Sequence, residues 1–289
     1  MLVSFKEMLS DAKNGHYAIP AFDFGNYEML MSILEACEES RSPALLQVLG
    51  VDLQGRCLPI LTAMVQEASK HFSIPVCLHL DHGESFEAAK RACDAGFSSV
   101  MFDGSKLPLA ENIEKTRAVV EYSHARGLSV EAELGHVCDG MVGNGENNTQ
   151  FEDPEHSLTV PAEAAEFVEK TGVDALAVAI GTAHGVYFKT PTLRIDRLDE
   201  ITAVCDCPLV LHGGSGTPYD QLHEAIDHGI TKINIYSDVL AAMSAGLKDT
   251  VNSLTNPATW PVVLYEESKK RMREVLLEKI NTFGSANRV

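Results

Sequence analysis

Leu78-His79-Leu80-Asp81-His82 is a short run in which apolar and polar residues alternate, and it closes on a histidine. Successive side chains of a strand point to opposite faces. His79 and Asp81 therefore share one face, and Leu78 and Leu80 take the other. Two further runs close the same way, Ala179-Ile180-Gly181-Thr182-Ala183-His184 and Val210-Leu211-His212. Reading outward, the candidate strands are 18–23, 43–48, 76–81, 98–103, 128–133, 175–180, 208–212 and 231–235. Most are rich in Val, Ile, Leu and Ala, and near-continuous apolar runs suit parallel strands covered on both faces. Amphipathic segments with helix punctuation separate them. Ser4 with Glu7 reads as a capping box, and Gly15 follows the expected helix end. Pro161 and Pro218 suit first helical positions, with Gly172 and Gly229 just past the ends. Strands alternating with helices predict an α/β fold, and eight of them predict a closed (β/α)8 TIM barrel. The 289 residues fit a single domain, 1–289, and the segment 263–283 reads as an extra C-terminal helix.

The alternation breaks the apolar rule in several strands. Glu131 and Glu133 share a face against Val130 and Ala132. Val210 and His212 oppose Leu209 and Leu211. Lys232, Asn234 and Tyr236 oppose Ile233 and Ile235. The apolar sets should face the helices and the polar sets the barrel axis. Charges near the axis are costly unless paired or metal-bound. They cluster at the carboxyl ends of strands, where barrel enzymes place their chemistry. Barrel closure would bring His82, His184 and His212 to one rim, and three neutral imidazoles with an open position describe a catalytic zinc site. His79 sits deeper and reads as a hydrogen-bonded neighbour of that site.

His212-Gly213-Gly214-Ser215-Gly216 follows the seventh strand, and Asn234-Ile235-Tyr236-Ser237-Asp238 closes the eighth. Glycines let backbone amides approach an anion, and these two loops are the usual phosphate site of the barrel class. Gly181-Thr182-Ala183-His184-Gly185 can complete the cradle. A phosphorylated substrate is the expectation. The connection 135–160, with Gly135, Gly140, Gly143 and Gly145, is too long for an ordinary loop and reads as a lid above the rim.

Composition narrows the partners. Acidic side chains number 41 against 23 basic, a net charge of -18, which opposes nucleic acid and anionic membrane surfaces. Seven scattered cysteines fit reduced thiols in a cytoplasmic protein. The N-terminal residues contain no signal-peptide core, and no apolar stretch is long enough to span a bilayer.

Five ordered motifs carry a resemblance: Leu78-His79-Leu80-Asp81-His82-Gly83, Glu131-Ala132-Glu133-Leu134-Gly135, Ile180-Gly181-Thr182-Ala183-His184-Gly185, Leu211-His212-Gly213-Gly214-Ser215-Gly216 and Lys232-Ile233-Asn234. From about Tyr17 to the C-terminus the chain resembles the class II, zinc-dependent ketose-bisphosphate aldolases. The resemblance implies reversible cleavage of a fructose- or tagatose-type 1,6-bisphosphate to dihydroxyacetone phosphate and an aldehyde phosphate, through a zinc-stabilised enediolate. It implies His82, His184 and His212 as zinc ligands and Asp81 as the acid/base. Asp103 and Glu133 match a second divalent position. Gly185, Gly213, Gly214 and Ser215 match one phosphate-binding stretch, and Asn234, Ile235, Tyr236 and Ser237 the other, with a monovalent cation beside it. It also implies a homodimer or homotetramer, in which Arg273 is the candidate to reach a neighbour's site. Glu146 is the candidate loop proton carrier.

The chain departs from the family pattern in places. Phe22-Asp23 stands where many members have Phe-Asn, and Lys106 where histidine is frequent. The loop lacks the adjacent glutamates often seen there, and Tyr236 replaces a smaller residue of tagatose-type members. These departures touch substrate contacts, so another phosphorylated ketose or keto acid stays open. Three rivals remain at this level: a Schiff-base aldolase using Lys232, a metal-dependent barrel hydrolase, and a non-catalytic sugar-phosphate binding protein. The hydrolase expects His-x-His on the first strand, where this chain has Ala21-Phe22-Asp23.

Overall fold

The computed structural model describes residues 2–53, 55–138, 154–185, 187 and 190–289. Eight parallel strands close into a barrel in sequence order: β1 (Ile19–Asp23), β2 (Ala44–Leu49), β3 (Val76–Gly83), β4 (Ser99–Phe102), β5 (Ser129–Leu134), β6 (Ala175–Val178), β7 (Leu209–Leu211) and β8 (Ile230–Ile235). Helices alternate with the strands, and the helix Glu266–Thr282 packs against the helices Tyr27–Ser40 and Ser237–Ser253. Among the described residues no helix is long and apolar enough to cross a membrane.

The pleat sorts the side chains as the alternation requires. Leu46, Leu78, Leu80, Val130, Leu211 and Ile233 join the layer between strands and helices. Ile19, Leu45, Cys77, Ala175 and Val210 form a separate inner cluster. The helix Phe5–Gly15 plugs this lower end with Phe5, Met8, Leu9 and Ala12. Above that dry floor the inward positions turn polar. Register places Gln47 beside His79, His79 beside Ser99, and Val210 beside Lys232. A fold with an apolar base and a polar upper barrel directs chemistry to the carboxyl rim.

The helix signals hold to within a residue. Ser4 accepts from the Glu7 N–H, but the left-handed residue after that helix is His16, not Gly15. Pro161 opens its helix and Gly172 closes it, whereas Pro218 is the residue before Tyr219–Asp227. Two parts of the long connection are among the described residues. Cys138 bridges to Ala183, and Pro154–Ser157 forms a helical turn. The lid reading and Glu146 lie outside the described residues.

Candidate active site

Asp81 and His82 sit where β3 is irregular. Pairing between β3 and β4 shifts register between Leu80 and Gly83, and His82 takes a left-handed φ of 45°. A non-glycine residue held there costs about 1–3 kcal/mol and persists only where its surroundings impose it. The bulge re-aims the ring, and Asp103 at the end of β4 fixes it through a 2.8 Å contact to Nδ1. His184 is set by its own backbone, whose N–H donates to Cys138 O at 2.8 Å. His212 extends from β7 and is fully buried.

These three rings meet. The centroid of His82 lies 4.8 Å from those of both His184 and His212, and the latter two are 5.8 Å apart. One nitrogen from each falls within 4.8 Å of the others, and His82, Asp103 and Glu133 form a second group of the same compactness. His212 Nδ1 and Glu133 Oε2 lie 3.2 Å apart, yet neither makes a hydrogen bond of acceptable geometry. Buried atoms of that kind want a partner. Asp81, Asp103, Glu131 and Glu133 crowd this volume, with Lys232 the buried ammonium at its base. Three imidazoles in a surplus of carboxylate suit a divalent cation such as zinc.

The electrostatics follow from this crowding. Burial opposes the charged form of His82, but Asp81, Asp103 and Glu133 outweigh it and raise the imidazole to about 10 in the metal-free chain. Burial likewise opposes ionisation of Asp81, yet His82, His212 and Lys232 hold its carboxyl below the usual range. Gln47 Nε2 and Asn234 Nδ2 both donate to Asp81 Oδ1, at 2.9 and 3.1 Å. Asp81 Oδ2 lies 3.9 Å from His82 Nε2. His79 hydrogen-bonds Ser99 Oγ at 2.8 Å and stacks on Phe5, and burial pushes it down to about 3. It is a neutral neighbour, as its depth in the strand implies.

A cavity of about 290 Å³ opens over these groups. Asp81, His82, Asp103, Glu133 and His184 line its centre, with Gly185, Gly213, Ser215, Asn234, Tyr236 and Ser237 on the β6–β8 side. Gly213 has φ +68°, and a Cβ there would stand 2.3 Å from Ala183 O. Gly214 is equally confined, because a Cβ would meet Ile233 Cγ2 at 2.3 Å. Its N–H is committed to Asn234 O. Ser237 opens a 17-residue helix whose N-terminus favours an anion.

Some expected residues fall elsewhere. Ile235 packs outward into the helix layer, so its side chain does not reach the cavity. The Asn234 amide is engaged by Asp81 and Lys232. Arg273 pairs with Glu39 of its own chain, its Nε 2.9 Å from Oε2. Lys232 is fully buried against Glu131 and does not line the cavity, which removes the Schiff-base candidate. The sequence reading missed Gln47, His136 and Tyr187. His136 lines the cavity, and Tyr187 OH donates to Gly213 O at 2.9 Å, tying the glycine turn down. Only the Gly135-His136 step after β5 carried a local signal.

Barrel, rim and cavity define a (β/α)8 barrel with a candidate metal-binding site at its carboxyl rim. The chain matches the family model for class II fructose-bisphosphate aldolase over residues 3–288, and it belongs to that family. It is similar to the crystal structure of the YdjI aldolase from Escherichia coli K12, with 35% identity and a TM-score of 0.87, covering 100% of this chain and 99% of that one. It is also similar to a Coccidioides immitis protein provisionally assigned as a fructose-1,6-bisphosphate aldolase. That match has 30% identity and a TM-score of 0.85, covering 98% of this chain and 96% of the other. Fructose-bisphosphate aldolase from Campylobacter jejuni shares the fold at 22% identity and a TM-score of 0.80, covering 100% and 97%.

Proposed function

We propose that this aldolase reversibly cleaves a ketose 1,6-bisphosphate of the fructose or tagatose type, giving dihydroxyacetone phosphate and an aldehyde phosphate. The observation that carries the reading is the meeting of His82, His184 and His212 beside Asp81 in one cavity. These three imidazoles would hold zinc, and Asp103 with Glu133 and His82 would offer a second position. When bound, zinc supplies Lewis acidity that polarises the ketose carbonyl and offsets the charge left by carbon–carbon cleavage.

The chain's own groups do the rest. Asp81 Oδ1 is pinned by Gln47 and Asn234, so Oδ2 is the oxygen that takes the C4-hydroxyl proton. The C3–C4 bond breaks, its electron pair goes to the three-carbon half, and the C4 oxygen becomes the aldehyde carbonyl. Glu146 would return a proton to C3. Gly185, Gly213 and Ser215 would bind one phosphate, and Gly214, whose N–H is held by Asn234 O, would shape the turn between them. The stretch Asn234 to Ser237 would bind the other, with a monovalent cation beside it. Tyr187 supports the first stretch by holding Gly213.

Asp23 and Lys106, two positions where the chain departs from the family pattern, both line the cavity, which favours a second reading, cleavage of another phosphorylated ketose. We also place the enzyme in the cytoplasm, in keeping with its free thiols, as a homodimer or homotetramer. Aldol cleavage of fructose and tagatose bisphosphates, assayed side by side with and without chelator, tests the proposal. Chelator-sensitive cleavage of one epimer is expected. No cleavage of either by zinc-loaded enzyme would overturn the bisphosphate assignment.

A further inference from the structure

At the floor of the cavity five buried side chains make one continuous polar chain. Lys232 Nζ donates to Asn234 Oδ1 at 2.7 Å and to Glu131 Oε1 at 3.1 Å, with Glu131 Oε2 2.9 Å away as the other oxygen of the ion pair. Asn234 Nδ2 donates onward to Asp81 Oδ1 at 3.1 Å. In the other direction, His212 Nε2 lies 3.0 Å from Glu131 Oε1. Lys232, Glu131 and His212 are wholly excluded from water.

A buried ammonium has three donors and nothing to accept with. Any amide beside it must present its oxygen. Asn234 therefore turns Oδ1 to Lys232 and Nδ2 to Asp81, where the reverse orientation would set a carbonyl against a carboxylate. Glu131, paired with the same ammonium, is an acceptor, so His212 Nε2 carries the proton and Nδ1 keeps its lone pair. The hydrogen bond on one ring nitrogen sets the state of the other.

We infer that Lys232 is a positioning residue that sets, through Asn234 and Glu131, the hydrogen-bond polarity of both Asp81 and His212. The inference rests on the proposed roles of Asp81 in proton transfer and His212 in metal binding. It gives one lysine, remote from substrate, control over the two halves of the site.

Lys232→Met alone leaves Glu131 buried without its cation, so the informative variant is Glu131→Gln/Lys232→Met, which removes both charges. Replacing a buried pair by neutral groups of similar volume is often neutral for stability. The double variant is expected to melt near the wild-type temperature. It should bind zinc about 10–100-fold more weakly in chelator competition, and its cobalt(II)-substituted form should show an altered visible spectrum. At saturating zinc, kcat should fall by up to about 100-fold, with KM little changed. A folded double variant with wild-type zinc affinity, cobalt spectrum and kcat would overturn the inference. Weaker zinc binding with unchanged kcat would overturn the Asn234–Asp81 arm.

Nitrogen-15 NMR of the zinc-loaded wild type decides the matter even if the variant fails to fold. His212 must carry its proton on Nε2; a proton on Nδ1 would overturn the assignment. If the wild type cleaves no ketose phosphate, the proposed function falls, while the zinc and NMR readouts still test the positioning role.

Discussion

Replacing Asp81 with asparagine isolates the proton-transfer role. Two amide N–H groups, from Gln47 and Asn234, converge on Oδ1. An asparagine must put its carbonyl oxygen there, which forces its NH2 to the Oδ2 position facing the cavity. That NH2 cannot accept the C4-hydroxyl proton. Loss of a positioned general base typically costs about 10²–10⁴-fold, or roughly 3–5 kcal/mol of barrier at 1.36 kcal/mol per decade. The three imidazoles should still gather, because His82 keeps its contact to Asp103. Asp81→Ala is the poorer experiment. It strips the acceptor from two buried donors, at about 1–3 kcal/mol each, and confuses instability with lost chemistry. The assay is steady-state cleavage beside metal analysis and a melting curve on the same preparation. Asp81→Asn retaining one equivalent of zinc and a kcat within threefold of wild type would refute the reasoning.

Stripping the metal should abolish cleavage and zinc should restore it, whereas borohydride with substrate should leave activity intact, because Lys232 is buried and paired; borohydride inactivation would reverse that conclusion. Gly213→Ala should cost about 1–3 kcal/mol of stability, since a non-glycine residue would occupy φ +68° against Ala183 O, and should raise KM more than it lowers kcat. Wild-type melting and KM would contradict it. His79 supplies a pH dependence. Its folded value, about 3, lies below the ordinary 6.5, so below pH 6.5 the unfolded chain binds a proton the folded chain refuses. Stability is lost as pH falls from 6.5 toward 3, and this group contributes about 3 kcal/mol of that loss by pH 4.5. Denaturant titrations of metal-free wild type and His79→Gln at both pH values should differ by that slope; parallel curves would show that His79 titrates normally.

The barrel was legible in the sequence because its information is local. A period of two, broken by glycine and proline, marks each strand, and β1 to β8 fall within about two or three residues of the runs that announce them. The same period sorted Asp81, Glu131, Glu133 and Lys232 to the inner face. Family motifs supplied roles for His82, His184 and His212, and barrel closure brings these rings together.

Other features needed three dimensions. No local pattern tells that Gln47 and Asn234 share one oxygen of Asp81, since those residues are brought together by strand pairing across 34 and 153 positions. Nor does it tell that Arg273 is taken by Glu39, or that Ile235 turns its side chain away from the cavity. Alternation fixes which face a residue takes. Which residues then touch depends on strand stagger, on the irregularity that turns His82, and on how tightly the closed barrel forces its polar groups to find one another. Sequence thus determined the fold and the chemical inventory of the rim, while tertiary packing alone decided the hydrogen-bond wiring, because distance and angle between remote strands are set only when the sheet closes.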